Sequence, residues 1–257
     1  MDATTDSQTP ALPPAIEAAW GLRGRAPRGP RPGLTLARIV EAAVRIADAE
    51  GLAAVSMGRV AKELGAGTMA LYRYVGAKDE LLTLMVDTAY GEPPGAGDDS
   101  RDWRAGLAHW AWADRGTLRR HPWILLVPIA GPPLTPNSLA WLEDGLRCLA
   151  DTALAEHEKL SVILLVTGYV RNESLLSAQI AEGTRSAGIA SEDLMSSYRA
   201  LVARVADPGR FPALNRLLAA GVLDRADDPD EEFVFGLERV LDGVAALIHE
   251  RGRTAPR

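Results

Sequence analysis

Between Ser56 and Leu81 the chain reads SMGRVAKELGAGTMALYRYVGAKDEL. Thr68, Met69, Ala70, Tyr72, Arg73 and Tyr74 lie close together there, and Lys78 follows shortly after. These side chains offer no base and nucleophile pair; their chemistry is recognition. A threonine hydroxyl bonds a base edge, and Met69 or Ala70 suits a thymine methyl. Arg73 can fork onto a guanine edge or clamp a phosphate, while Tyr72 and Tyr74 can donate phenolic hydrogen bonds to phosphate with their rings on sugars. Lys78, beside a helix N-terminus, adds its ammonium group to backbone N–H groups as a joint anion site. Ser56, which caps the preceding helix, belongs to the same DNA-contacting set.

Such residues read a groove only if helices hold them at a fixed depth. Residues 35–49 carry an apolar stripe of Leu36, Ile39, Val40, Ala43, Ile46 and Ala47, with Thr35 as N-cap and Gly51 as the positive-φ terminator. A second helix runs from Ser56 to Leu64, burying Met57, Val60, Ala61 and Leu64, and Gly65 breaks it. After a short turn a third helix, capped by Gly67, continues to Tyr74 or Val75, supported by Leu71. A fourth begins near Lys78 with Asp79 and Glu80 at the positive end of its dipole and reaches Gly91. The same pattern also fits a helical hairpin in an ordinary core.

The rest of the chain is helical too. Helices are expected at 101–120, 136–153, 156–183, 191–206, 210–220 and 230–250, with no strand alternation, so the fold class is all-α. Residues 1–33, rich in Pro and Gly, read as a disordered arm; its Arg23, Arg25, Arg28 and Arg31 can follow a minor groove or simply be solvated. The expected division is this arm, a helix-turn-helix DNA-binding domain at 34–91, and a helical effector-binding and dimerisation domain at 101–250. Residues 92–100, EPPGAGDDS, form the boundary loop.

Composition narrows the function classes. The 257 residues carry a net charge of -6, yet Gly21–Tyr90 holds ten Arg/Lys against seven Asp/Glu, or +3, which leaves -9 for the remainder. A mildly basic end on an acidic body presents one face to phosphate. No apolar run is long enough for a membrane span, and the first twenty residues lack the pattern of a secretion signal, so no membrane partner is expected. Cys148 stands alone, which suits a reducing cytoplasm, and the four histidines show no metal-ligand spacing. No cofactor or metal is expected. There is also no HExxH, phosphate-binding glycine loop or nucleophile-base pairing, so the chain reads as a non-enzyme.

In the body, the helices at 156–183 and 231–248 have wide apolar stripes, the latter through Phe235, Leu237, Val240, Leu241, Val244, Ala245 and Ile248. Two such helices from each subunit can pack about a twofold axis, although both stripes also fit a core of their own. Trp110, His121, Trp123, Trp141 and Asn172 are the candidate contacts for a small apolar ligand. Tryptophans at helical spacing equally fill cores.

Residues 35–90 resemble the N-terminal domain of the TetR family, the tetracycline-repressor-like bacterial regulators. EAAVRIADAEGLAAVSMGRVAKELG and LYRYVGAKDELL carry the resemblance, with Ala61, Gly65, Leu71, Tyr72, Tyr74, Lys78 and Leu81 at matching positions. Gly67, Ala70 and Ala77 depart from the family's usual polar residues, which leaves the base preference open. RRHPWILL, GPPLTPNSLAWLEDGL and EEFVFGLERVLDGVAALI extend a weaker resemblance through the body. The resemblance implies a homodimer with paired helices in a four-helix bundle and a ligand cavity in each core domain. It implies a transcriptional repressor on a palindromic double-stranded operator, released by a small-molecule effector. An effector-independent regulator of the same fold, or a helical interaction module, is the alternative.

Overall fold

The computed structural model describes residues 11–22, 34–95, 102–129, 131–188, 194–224 and 230–254, and all its regular elements are helices. The chain divides into two compact units, Met1–Thr152 and Ala153–Arg257.

In the first unit, α1 (Pro14–Ala19) is followed by α2 (Leu36–Glu50), α3 (Met57–Glu63), α4 (Thr68–Leu71) and α5 (Lys78–Tyr90). α6 (Trp103–Arg120) and α7 (Pro136–Cys148) complete it. Local chemistry sets the ends. Thr35 Oγ1 accepts from the Arg38 N–H at 3.2 Å, and Ser56 Oγ from the Arg59 N–H at 3.1 Å, each satisfying a donor that the first helical turn leaves without a partner. Gly51 ends α2 at φ 83° and Gly91 ends α5 at φ 60°, a region costly for residues with a Cβ. The core gathers Ile39, Val40, Ala43, Ile46 and Ala47 of α2 with Leu81, Leu82 and Met85 of α5.

Two expectations need correction. Within the arm expected to be disordered at 1–33, Pro14–Ala19 is helical, with Ala15 and Ile16 buried. Pro14 presets the helical φ at the first position, and α1 packs on α2 and α5, so a partner surface supplies the stability that local sequence lacks. The arginines at 23, 25, 28 and 31 lie outside the described residues. The third expected helix is also shorter: regular helix stops at Leu71, and the Tyr74 and Val75 N–H groups both turn back onto the Leu71 carbonyl at 2.8 and 3.1 Å.

Aromatic and carboxylate groups tie α5 to α6 and α7. Tyr90 Oη donates to Asp114 Oδ1 at 2.9 Å, and its ring meets Trp141 edge-on at 5.3 Å. The Trp141 indole N–H donates to the Gly91 carbonyl, and the Trp110 indole N–H to the Trp141 carbonyl, both at 3.0 Å. Asp87, buried on α5, accepts the Ser138 N–H at the start of α7 at 3.0 Å, while Asn137 donates to the Asp87 carbonyl. Cys148 Sγ stands within reach of Gly106, where an added Cβ would lie 3.2 Å away; burial first, then Asp144, pushes its thiol above the ordinary range.

In the second unit α8 (Glu156–Ser186) and α11 (Glu231–Thr254) run antiparallel, with α9 (Leu194–Val205) and α10 (Pro212–Ala219) between them in sequence. Arg251 Nε donates to Glu158 Oε1 at 2.8 Å near one end, and Tyr169 Oη donates to the Phe233 carbonyl at 2.9 Å near the other. The Ala155 N–H and then Arg251 hold the Glu158 carboxyl below the ordinary range. Val162, Ile163, Val166 and Val170 are buried on α8, and Phe233, Leu237, Leu241 and Val244 on α11. Phe235, included in the apolar stripe, is 61% exposed, and Phe233 is the aromatic residue of the core.

Gly236 lies under the Tyr169 ring: a Cβ there would come within 2.6 Å of the ring carbons Cε2 and Cζ. Gly236→Ala must displace Tyr169, whose hydroxyl is shared between the Glu232 and Phe233 carbonyls at 3.1 and 2.9 Å. It is expected to destabilise the protein by about 1–3 kcal/mol, read as a lower denaturant midpoint for the second unit.

Candidate nucleic-acid interface

α4 is one helical turn, held from beneath by its own buried side chain. Leu71 and, just after it, Val75 have no exposed surface, and they lie in the unit whose core includes Met57, Val60 and Ala61 of α3. Leu64, expected in this packing, is half-buried. Ala61 is 2% exposed at the packed α3–α4 pair, and Gly65 makes the turn between them at φ 61°.

The opposite side of α4 faces water. Thr68, Met69 and Arg73 are exposed, Tyr72 is 44% exposed, and Ala70 and Tyr74 are half-covered. Met69, at 78%, has the highest exposure among the described large hydrophobic side chains. That thioether contributes nothing to the core, and an apolar contact with a thymine methyl is the kind of partner that fits it. Lys78 is exposed in the first turn of α5, followed by Asp79 and Glu80. Ser56 is exposed as a residue, but its hydroxyl oxygen already caps α3, so a DNA contact would use the remaining donor capacity of the O–H.

The neighbouring Arg59 is committed to the protein. Its guanidinium donates to Glu63 at 2.9 Å and Glu50 at 2.6 Å; these two hydrogen bonds raise its pKa further above the ordinary value. It braces α3 against the end of α2.

The candidate ligand contacts do other work in the structure. Trp110 and Trp141 stack edge to face at 5.9 Å, with both indole N–H groups satisfied by backbone carbonyls. His121 Nδ1 and Trp123 Nε1 converge on Asp48 Oδ1 at 2.7 and 2.6 Å, joining the end of α2 to the segment after α6. Asn172 is exposed on α8 in the other unit. Sequence reasoning missed Asp48, Asp87 and Asp114, the acceptors on which these ties depend. Ser174, also unflagged, has a buried hydroxyl without a partner among the described residues.

Among the described residues no group of His, Cys, Asp and Glu is arranged to hold a metal ion, and no helix is long and apolar enough to cross a membrane.

Comparison with known proteins agrees with this architecture. Residues 39–85 match the family described as bacterial regulatory proteins, tetR family, and residues 95–248 match the tetracyclin repressor-like C-terminal domain. The HTH-type transcriptional repressor DrrR1 of Streptomyces coeruleorubidus is 39% identical over 246 residues, covering 94% of this chain and 88% of that protein. An HTH-type transcriptional regulator of Saccharopolyspora erythraea is 31% identical over 188 residues, covering 72% of this chain and 79% of its own. Among solved structures, the TetR family protein ActR of Streptomyces coelicolor in complex with actinorhodin superposes with a TM-score of 0.70 at 28% identity, covering 84% of this chain and 99% of that one.

Leu71 is the test of the support beneath α4. Leu71→Ala leaves a cavity under a single helical turn and is expected to cost about 2–5 kcal/mol, measured by urea denaturation, with lost protection of the 68–75 amides in hydrogen exchange.

Proposed function

Because the chain belongs to the tetR family of bacterial transcriptional regulators, we propose that it is a dimeric repressor that reads a palindromic operator through Thr68–Arg73 and is released by a small molecule. The observation that carries the DNA reading is the two-sidedness of α4: Leu71 is fully buried while Thr68, Met69, Tyr72 and Arg73 face solvent. Thr68, Met69 and Ala70 at the start of the turn read base edges in the major groove, and Arg73 reads a guanine or a phosphate. Tyr72, Tyr74, Lys78 and Ser56 hold the phosphates on either side.

A second copy of the chain is the partner that suits α8 and α11. Leu160, Leu164 and Leu165 on α8 and Val234 and Phe235 on α11 are exposed, beside an open apolar groove of about 360 Å³ lined by Val162, Val240, Gly243 and Leu247. Each large side chain taken fully out of water contributes about 1.5–3 kcal/mol. These five are 42–63% exposed, so about half of that is available from each, and ten side chains supply about 8–15 kcal/mol, the same range as an association cost of about 4–15 kcal/mol. Twofold pairing then presents two copies of α4 to two half-sites.

α5 runs unbroken from Lys78 to Tyr90 between the phosphate-binding end and the Tyr90–Trp141 junction. A ligand that favours one tilt of this helix shifts the spacing of the two α4 turns and lowers operator affinity by its differential affinity for the two states. ActR with actinorhodin supports a small-molecule effector in a protein of this fold. Trp110, Trp123, Trp141 and His121, whose indole N–H groups and Nδ1 are engaged by protein, would meet such a ligand through ring faces.

Selection of bound duplexes from a random library tests the reading directly. An inverted repeat is the expected product, and enrichment of no sequence would refute it. On that duplex Lys78→Ala and Tyr74→Phe should weaken binding to all sequences alike, Lys78→Ala lowering the salt slope by about one. Thr68→Ala and Arg73→Ala should change the preferred bases. Sedimentation should give a dimer at micromolar concentration, and Leu164→Glu with Phe235→Glu a monomer.

A further inference from the structure

The N-terminal helix makes a contact that the DNA-reading residues do not explain. α1 lies outside the matched family segment 39–85, yet it is docked: Ala15 is fully buried and Ile16 is 5% exposed. The Ala15 N–H donates to Glu80 Oε1 at 2.9 Å. The other oxygen of the same carboxylate, Oε2, accepts the Gly76 N–H at 2.6 Å. At the far end of α1, the Trp20 indole N–H donates to the Leu134 carbonyl at 2.8 Å, just ahead of α7.

Glu80 therefore joins three things. It lies in the third position of α5, where a glutamate reaches back over the helix entrance. Ala77, the N-cap, has no side-chain acceptor, so the turn Gly76–Ala77–Lys78 depends on Glu80 for its restraint. Gly76 leaves room for this approach, since a Cβ there would stand 3.3 Å from Glu80 Oε2. The second oxygen, which in a simple helix cap would face water, is taken by α1. Both N–H bonds also draw the carboxylate's charge onto the protein, beside the position proposed for a phosphate.

We propose that Glu80 is a positioning residue for DNA binding, and that α1 is a strap that holds Glu80, and through it the Tyr74 and Lys78 phosphate contacts, in register with the segment before α7. The proposal rests on the DNA-binding reading above and adds to it a role for the N-terminal extension. Detaching α1 exposes one carboxylate oxygen to water, loosens the turn at Gly76, and lets Lys78 and the Tyr74 hydroxyl move away from the phosphates. The residues that read bases sit on α4 and keep their support from Leu71. Strap loss therefore lowers affinity without changing sequence preference.

The experiment uses the full-length protein, the duplex recovered by selection, and the variants Glu80→Gln, Ile16→Asp and their combination. Glu80→Gln keeps the shape but turns an NH₂ group towards one of the two N–H donors, so only one bond survives. Each single variant is expected to weaken binding about tenfold and to reduce the slope of log affinity against log salt by about one to two, as lost phosphate contacts do. The double variant should be no weaker than the worse single variant, because both break one linkage. A fall in the folded fraction alone would weaken binding with the salt slope unchanged, and that result also overturns the strap. Wild-type affinity and slope in both single variants, or independent effects that multiply in the double variant, overturn the strap. Hydrogen exchange on the free protein gives a readout that needs no DNA: Ile16→Asp should accelerate exchange at the Gly76 amide while the α2 core amides keep their protection. If the Gly76 amide is unchanged the strap fails, whether or not the wild type binds a duplex; if the wild type binds none, the DNA reading fails separately.

Discussion

A helix of four residues cannot sustain itself. Isolated helices need roughly 12–15 residues before they are even marginal in water, so α4 exists because Leu71 and Val75 are driven into the core beneath it. The exposed geometry of the first unit depends on that burial. Gly65 lets the chain turn tightly enough to bring α4 onto α3, and small Ala61 sits in the contact between them. The caps at Thr35 and Ser56 fix where α2 and α3 begin, and so where the platform under α4 lies.

A second constraint is the way α5 is gripped. One face carries Leu81 and Met85 in the core shared with α2; Leu84 and Asp87 are buried as well, and Asp87 meets the first turn of α7. Hydrogen bonds in such a poorly solvated setting are strong, and leaving any of their groups unpaired is expensive. α5 is thus tied to α7 by several short, directional bonds at its C-terminal end, and to the turn after α4 by Glu80 at its N-terminal end. A rigid rod held at both ends converts a small change at one end into a change of angle at the other.

Much of this was legible in the sequence, and the parts that were not share a physical cause. Caps and terminators such as Thr35, Gly51, Ser56 and Gly91 were legible because their chemistry is local: a hydroxyl bonds an amide three residues away, or a glycine takes a positive φ. Helix positions in the body were readable from breakers and apolar periodicity. α1 was not, because six residues owe their helix to the surface that covers Ile16. For the tryptophans the sequence left two roles open, ligand contact and core filling, and it did not disclose what their indole N–H groups bond. Their actual acceptors are the carbonyls of Trp141 and Gly91 and the carboxylate of Asp48, groups far away in sequence or shared by every residue. Periodicity also left out Phe233: α11 is apolar on more than one side, and Phe233, stacked on Tyr169, is buried while Phe235 is exposed.

The division of labour within α4 has an evolutionary consequence. Thr68, Met69 and Arg73 project from a turn whose stability resides in Leu71, so mutational drift at those three positions costs folding little. On the proposed DNA reading, a duplicated gene can therefore explore new promoters by changing a few letters, while inheriting its scaffold intact.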